Sequence, residues 1–384
     1  MADDRTGWVS APHTRGTITI VFSCTKALLI PLYSAFHVDI PPNPVGSLRR
    51  LLRRLKWVLV GLVMPEIVVV LSLAQHSDSR ATRSGGLFKN WTMMHGFYII
   101  MGGFVLVSHD GTRRTANYHQ LKLLNEHHPD LLAPISSLRK EDIADKSKAD
   151  ALVKIIALSQ VANLLTQCIG RAIQNLPVTP LEIATVAYVP IAALTYIAWW
   201  SKPQDIAVPT VIPIGNLDVT SIPDWNQDES ANNLGSWRSV VVHRMQANAR
   251  PTDWHLNLFA LVLASVFGGV HLLSWSYPFP SSLEMHLWRL ASVFALICGF
   301  CFHVLVNALR RMLQGKRAPK REELTLSKQT TATITLWFYD YFGYLLIPMY
   351  VFSRVYIVFE SLYSLRSLPP RTFDIPAWTQ YVPS

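Results

Sequence analysis

The chain has 384 residues, half of them hydrophobic and only 16% charged, and a mean hydropathy of +0.23. A soluble domain carries about a quarter charged residues, so the composition excludes an ordinary soluble fold and predicts an all-α, polytopic membrane protein with about eight transmembrane helices. The net charge of +10 sits in loops between apolar stretches, where Lys and Arg face anionic lipid; it predicts the bilayer as partner and no nucleic acid.

Residues 1–16 are polar, lack the apolar core of a signal peptide, and are expected to be lumenal. Residues 17–108 are expected to hold three transmembrane helices, at about Thr17–Phe36, Leu55–Ala74 and Trp91–Ser108. The first contains Lys26 and Pro31 and ends at His37-Val-Asp39. The second follows the basic run Arg49, Arg50, Arg53, Arg54 and Lys56 and contains Pro65-Glu66. The third carries His95 and Gly102-Gly103. Residues 109–148 read as a polar cytosolic loop rich in His109, His119, His127 and His128. Leu121, Leu123 and Leu124 would lie on the membrane surface. The histidines lack ligand spacing, and no metal is expected.

Residues 149–200 are expected to form two transmembrane helices separated by Leu176-Pro-Val-Thr-Pro180. The first begins at a capping-box-like Ser147-Lys-Ala-Asp150. The second, Leu181–Trp200, closes in an aromatic belt at Trp199-Trp200. Residues 201–253 read as an irregular, proline-punctuated cytosolic loop, and residues 254–308 as two further transmembrane helices, about Trp254–Trp275 and His286–Ala308. A basic cytosolic loop, residues 309–333, precedes a last transmembrane helix at 334–363 with Pro348 inside it, and residues 364–384 form a lumenal tail. With these eight crossings, Lys and Arg number 9 on the side of the termini and 23 on the other, which places the basic side in the cytosol. Asn90-Trp-Thr92 is then a lumenal glycosylation sequon lying close to a span. Cys24, Cys168, Cys298 and Cys301 all fall in apolar stretches and read as small buried residues.

The fourth expected span carries Gln160, Asn163, Gln167, Arg171 and Gln174 at steps of 3, 4, 4 and 3. At the helical period they share one face. Lipid satisfies neither amides nor a guanidinium, so this face is expected to turn inward, towards other helices or a wet cavity. Gln160, Asn163, Gln167 and Arg171, with Trp275 and Arg289, are the candidate substrate-binding residues.

Ionisable side chains recur within or at the mouths of the spans. Each costs about 2.5–3.5 kcal/mol at membrane depth unless it pairs or meets water. Glu182, Glu284 and Glu360 are the candidate acids, and His95 and His271 the candidate bases, for moving protons on a lipophilic molecule. Arg171 and Glu182, across a short turn, are a candidate pair. The structural alternative is that all of these are ion pairs and hydrogen bonds locking helices together. His37, Asp39, His303, Asn307 and Asp340 fall towards the cytosolic half and Glu66 near mid-depth. Asp340, Tyr344 and Arg354 share a face, but Asp340 and Arg354 lie about 21 Å apart along the axis. No phosphate loop, dinucleotide fingerprint, metallohydrolase or serine-hydrolase motif is present, and no cofactor is expected.

The combination of Arg15-Gly-Thr17, His37-x-Asp-Ile-Pro-Pro42, Lys56-Trp57, Pro65-Glu66, His95-Gly96, Gly102-Gly103-Phe104, Asp145-Lys-Ser-Lys-Ala-Asp150, Leu181-Glu182, Trp199-Trp200-x-Lys-Pro203, Gly269-x-His271, Trp275, Trp288-Arg289 and Ser364-Leu-Arg-Ser-Leu-Pro369 resembles, over nearly the whole length, an uncharacterised family of fungal multi-spanning integral membrane proteins. Some members of that family lie near natural-product genes, so the resemblance implies a pathway role by association and carries over no catalytic residues. Three readings result. The first is a cyclase or isomerase of a lipophilic, terpenoid-like intermediate in the endoplasmic reticulum or another secretory membrane. The second is a carrier or receptor for such a molecule that is not driven by ATP, and the third is a structural membrane scaffold.

Overall fold

The computed structural model describes residues 6–10, 15–35, 40, 43, 45–147, 151–223, 225, 254–300 and 326–376, with the side chains of 151–152, 254–257, 260–261, 298–300 and 326–344 excepted. His37, Asp39, Lys148–Asp150, Cys301, His303 and Asn307, and the side chains of Cys298, Asp340 and Tyr344, lie outside the described residues.

Twelve α-helices are described: α1 (Thr17–Ala35), α2 (Ser47–Val63), α3 (Pro65–Ser84), α4 (Met93–Ile100), α5 (Tyr118–His127), α6 (Pro129–Ser136), α7 (Lys140–Lys146), α8 (Ala151–Ile173), α9 (Pro180–Ala198), α10 (Trp254–Val270), α11 (Ser282–Phe300) and α12 (Leu326–Tyr363). Three strands join them: β1 (Phe104–Ser108), β2 (Arg113–Thr115) and β3 (Thr210–Gly215). The fold is therefore mostly helical but not all-α.

The third expected span is not a helix of spanning length. Its residues form the eight-residue α4, a turn through Gly102 at φ +82°, and β1. β1 is the centre of a sheet ordered β2-β1-β3, antiparallel to β2 and parallel to β3, with Leu106 opposite both Arg114 and Ile212. Trp91, Tyr98, Phe104, Leu121, Leu124, Leu132, Ile143, Ile212 and Trp225 bury together as one core. The stretch is apolar because protein covers it rather than lipid. The two expected loops thus supply a small folded domain. Leu121 and Leu124 of α5 point into its core and not onto a membrane surface.

The second expected span also differs. The residue before a proline is driven out of the helical region, and Met64 sits at φ −131°, ψ 63°. Pro65 then opens α3 at its first helical position, where a missing N–H costs nothing. The bend between α2 and α3 is 114°. Four helical stretches are long and apolar enough to cross a membrane among the described residues: Thr17–Ala35, Val153–Ile173, Pro180–Ala198 and Leu345–Arg366. The bent pair makes five if it counts as one span, in place of the eight expected. α10 and α11 pack against each other at close range. A β-carbon on Gly268 would stand 2.6 Å from the backbone nitrogen of Leu296.

The bundle has two distinct ends. At one, Thr6 bridges Leu368, and Arg171 meets the backbone of residues 371–374. At the other lies the sheet domain. There Arg54 pairs with Asp205, Lys202 bonds Gln75, Gln204 bonds the Ser34 carbonyl and Lys154 bonds that of Trp200.

Candidate functional site

The tip of the α2–α3 bend enters the middle of the bundle. There Tyr188, halfway along α9, donates its hydroxyl hydrogen to the Leu62 carbonyl. Glu66 follows in the first turn of α3, where the helix dipole favours a carboxylate. It is 2% exposed. One of its oxygens takes an ion-paired hydrogen bond from Arg354 on α12, and the other accepts from the Tyr350 hydroxyl at 2.6 Å. The Arg354 guanidinium lies 4.2 Å from the Phe267 ring centroid and 5.0 Å from that of Tyr350. Arg354 is itself 2% exposed, and its Nε and Nη1 have no hydrogen-bond partner among the described residues. An arginine presents five donors, and a buried donor without a partner costs about 1–3 kcal/mol. Donors of this kind are able to hold an acceptor oxygen.

His271 closes the same region. It stands in a 3-10 turn after α10, 1% exposed, with Nδ1 2.8 Å from the Phe267 carbonyl and its ring between those of Phe267 and Trp288. The expected cluster around it divides. Trp275 and Arg289 pair on the surface, guanidinium 4.9 Å from the indole centroid and Nε donating to the Trp275 carbonyl at 3.0 Å. Glu284 faces the other way, towards α12. Its Oε1 accepts from Ser281 at 2.9 Å and from Arg366 at 2.5 Å. Glu360 accepts from the Tyr356 hydroxyl at 3.2 Å, and that hydroxyl is also 3.4 Å from the Glu284 carbonyl. Glu284 Oε2 and Glu360 Oε1 are both buried without a partner among the described residues.

Other expected site residues are occupied by the fold. Glu182 is fully buried, caps α9 by accepting from the Thr179 N–H at 2.9 Å, and pairs with Arg15 rather than with Arg171. Arg171 instead donates to four carbonyls, those of Pro177 (3.0 Å), Asp374 (2.8 Å), Arg371 (3.2 Å) and Thr372 (2.9 Å). His95 lies in the sheet domain. Its Nδ1 accepts from the Thr92 N–H at 3.1 Å, and its Nε2–H donates to the Leu138 carbonyl at 3.1 Å. Burial lowers its pKa.

The amide stripe does not turn inward. The buried face of α8 is Ala157, Leu164, Cys168 and Arg171, while Asn163 is exposed and Gln160 and Gln167 are half-exposed. Tyr350, Tyr188 and the Glu66–Arg354 pairing were missed in the sequence. Glu66 and Arg354 were visible as charges in apolar stretches, but 288 residues separate them.

The fold is a mostly helical bundle with four or five helices long and apolar enough to cross a membrane, compatible with a membrane-embedded protein. The chain belongs to DUF8562, a family of unknown function, whose model matches residues 1–84, 77–236 and 229–384. No curated protein and no solved structure matches the chain.

Proposed function

We propose that the chain is an integral multi-pass membrane protein of the endoplasmic reticulum or another secretory membrane that acts on a lipophilic small molecule bearing an oxygen function. The buried Arg354, with two donors that have no partner among the described residues, carries this reading. The oxygen function accepts hydrogen bonds from Nε and Nη1, and the hydrocarbon part lies against Phe267 and the surrounding apolar helices. The Glu284–Glu360 pair is the proton source and sink. Glu360 is six residues beyond Arg354 on α12, about 9 Å along the axis and about 120° round it. Protonation at one carbon or oxygen and deprotonation at another leaves composition unchanged, which is the chemistry of an isomerase or cyclase. The family resemblance supports a place in fungal secondary metabolism.

In this reading α2 and α3 form a re-entrant hairpin. Both of its outer ends meet the sheet-domain end, where Arg54 pairs with Asp205 and Gln75 bonds Lys202, while its tip holds Glu66 at mid-depth. Of the Lys and Arg residues whose side chains are described, 16 then lie at the sheet-domain end and 5 at the other, which supports a cytosolic place for the former.

A carrier or receptor would use the same contacts without chemistry. The pairing of Glu66 with Arg354, which leaves neither free as an acid, favours that alternative. The test is mass spectrometry of small molecules extracted from detergent-purified protein. Wild type is compared with the double variant Glu66→Gln, Arg354→Met, which removes both charges and so strands neither. A lipophile is expected in the wild type and absent from the variant; identical extracts sink the proposal. A Glu284→Gln, Glu360→Gln variant that retains the lipophile in unconverted form identifies an enzyme, and one that leaves the extracted compounds unchanged identifies a carrier.

A further inference from the structure

The outward face of α8 is polar where lipid should meet it. Ser159, Ala162, Asn163 and Thr166 are exposed and lie on one side of the helix, with Gln160 and Gln167 half-exposed at its edge. Asn163 stands one residue from the midpoint of Ala151–Ile173, the depth furthest from water and headgroups. Its carbonyl accepts from Gln167 at 3.1 Å. No hydrogen bond from its amide N–H groups is found among the described residues. Lys26 is also exposed, at the midpoint of α1, but a lysine stem is long enough to lift its ammonium towards the interface. The two-carbon stem of Asn163 is not.

We infer that this face is the contact surface between two copies of the chain. Two copies inserted in the same direction share a two-fold axis along the membrane normal, so their α8 helices cross in parallel and residues near the axis meet their own counterparts. An amide is donor and acceptor at once and therefore complements itself, as a buried asparagine does in parallel helical dimers. Ser159, Ala162, Asn163 and Thr166 carry no formal charge that would repel a second copy. Ser159, Ala162 and Thr166 are small enough to let the two backbones approach, the arrangement that favours helix association in lipid. Ile155, Ile169 and Ile173, all exposed, flank the polar patch and bury against the same residues of the second copy. The inference stands apart from the proposed site, because the described contacts of the Glu66–Arg354 centre come from α3, α10 and α12.

The test uses full-length protein in isolated membranes. Asn163→Cys is oxidised beside Leu362→Cys, a control on an exposed position of α12. A disulfide-linked product of twice the chain mass is expected from the first and not from the second. Equal cross-linking of both, or a product of Asn163→Cys that contains a different protein, overturns the inference. In a second measurement, fluorescently labelled wild type and Asn163→Leu are diluted into phosphatidylcholine vesicles and counted by photobleaching steps. Two-step bleaching is expected for the wild type, with association weakened about threefold to thirtyfold in the variant. Single-step bleaching of the wild type at every dilution overturns the inference.

Discussion

His95 shows how burial turns a candidate base into a structural residue. Its Nδ1 must be bare to accept from Thr92, and its Nε2 must carry the proton given to Leu138, so only the neutral ring fits. The pKa is lowered from the usual 6.5, chiefly by burial. The unfolded chain therefore binds the proton more readily than the folded one. Stability from this residue is complete above about pH 6.5 and falls as the pH drops below it. Unfolding of the sheet domain, followed by tryptophan fluorescence, should occur more readily at pH 5 than at pH 7.5, and His95→Gln should flatten that dependence. Equal pH slopes in both proteins would show that His95 does not couple protonation to folding. At this scale the sequence was a partial guide. It marked Glu182 and Arg171 as costly charges in apolar stretches, which they are, but it paired them with each other. The structure gives Glu182 to Arg15 and spends Arg171 on four carbonyls. Partners far apart in the chain leave no local signal.

At the scale of elements, the bend at Met64-Pro65 decides most. The proline was legible, as was the glutamate after it, but a span kinked by proline and a hairpin folded back on itself read alike in hydropathy. The re-entrant arrangement predicts that Ser47→Cys and Ser84→Cys, at the outer ends of α2 and α3, both react with a membrane-impermeant maleimide from the cytosolic side only. Labelling of the two positions from opposite sides would make the pair a broken span and remove the case for Glu66 as the tip of a hairpin. The stretch Trp91–Ser108 teaches the same lesson. Its apolar residues satisfy the composition of a membrane helix, yet eight residues of helix and a strand bury them in a protein core. Mean hydropathy records that a stretch avoids water and not what covers it.

Across the whole molecule, long-range contacts tie the chain at both ends. The sheet domain joins β1 to β3 across more than a hundred residues. At the opposite end Arg171 holds the segment Arg371–Asp374 while Thr6 bridges Leu368. A guanidinium reaches four carbonyls because its donors form a planar fork, and a lysine offers one compact ammonium. Arg171→Lys should therefore destabilise the purified protein by about 3 kcal/mol, since several buried carbonyls lose their partner. Thermal unfolding in detergent measures it, and Arg171→Lys unfolding at the wild-type temperature would show that the tail does not depend on this residue.

By itself the sequence determined that the chain is mostly helical with apolar helices of spanning length, where a few of them, α1, α8 and α9, begin and end, and which charges lie in apolar stretches. Those properties follow from local composition and period, because each residue's transfer preference and each proline's effect act within a few residues. Only the tertiary structure decided that two loops form one domain, that the α8 amides face outward, and that Glu66 finds Arg354. Burial, pairing and the direction of a helix face depend on what the rest of the chain brings alongside.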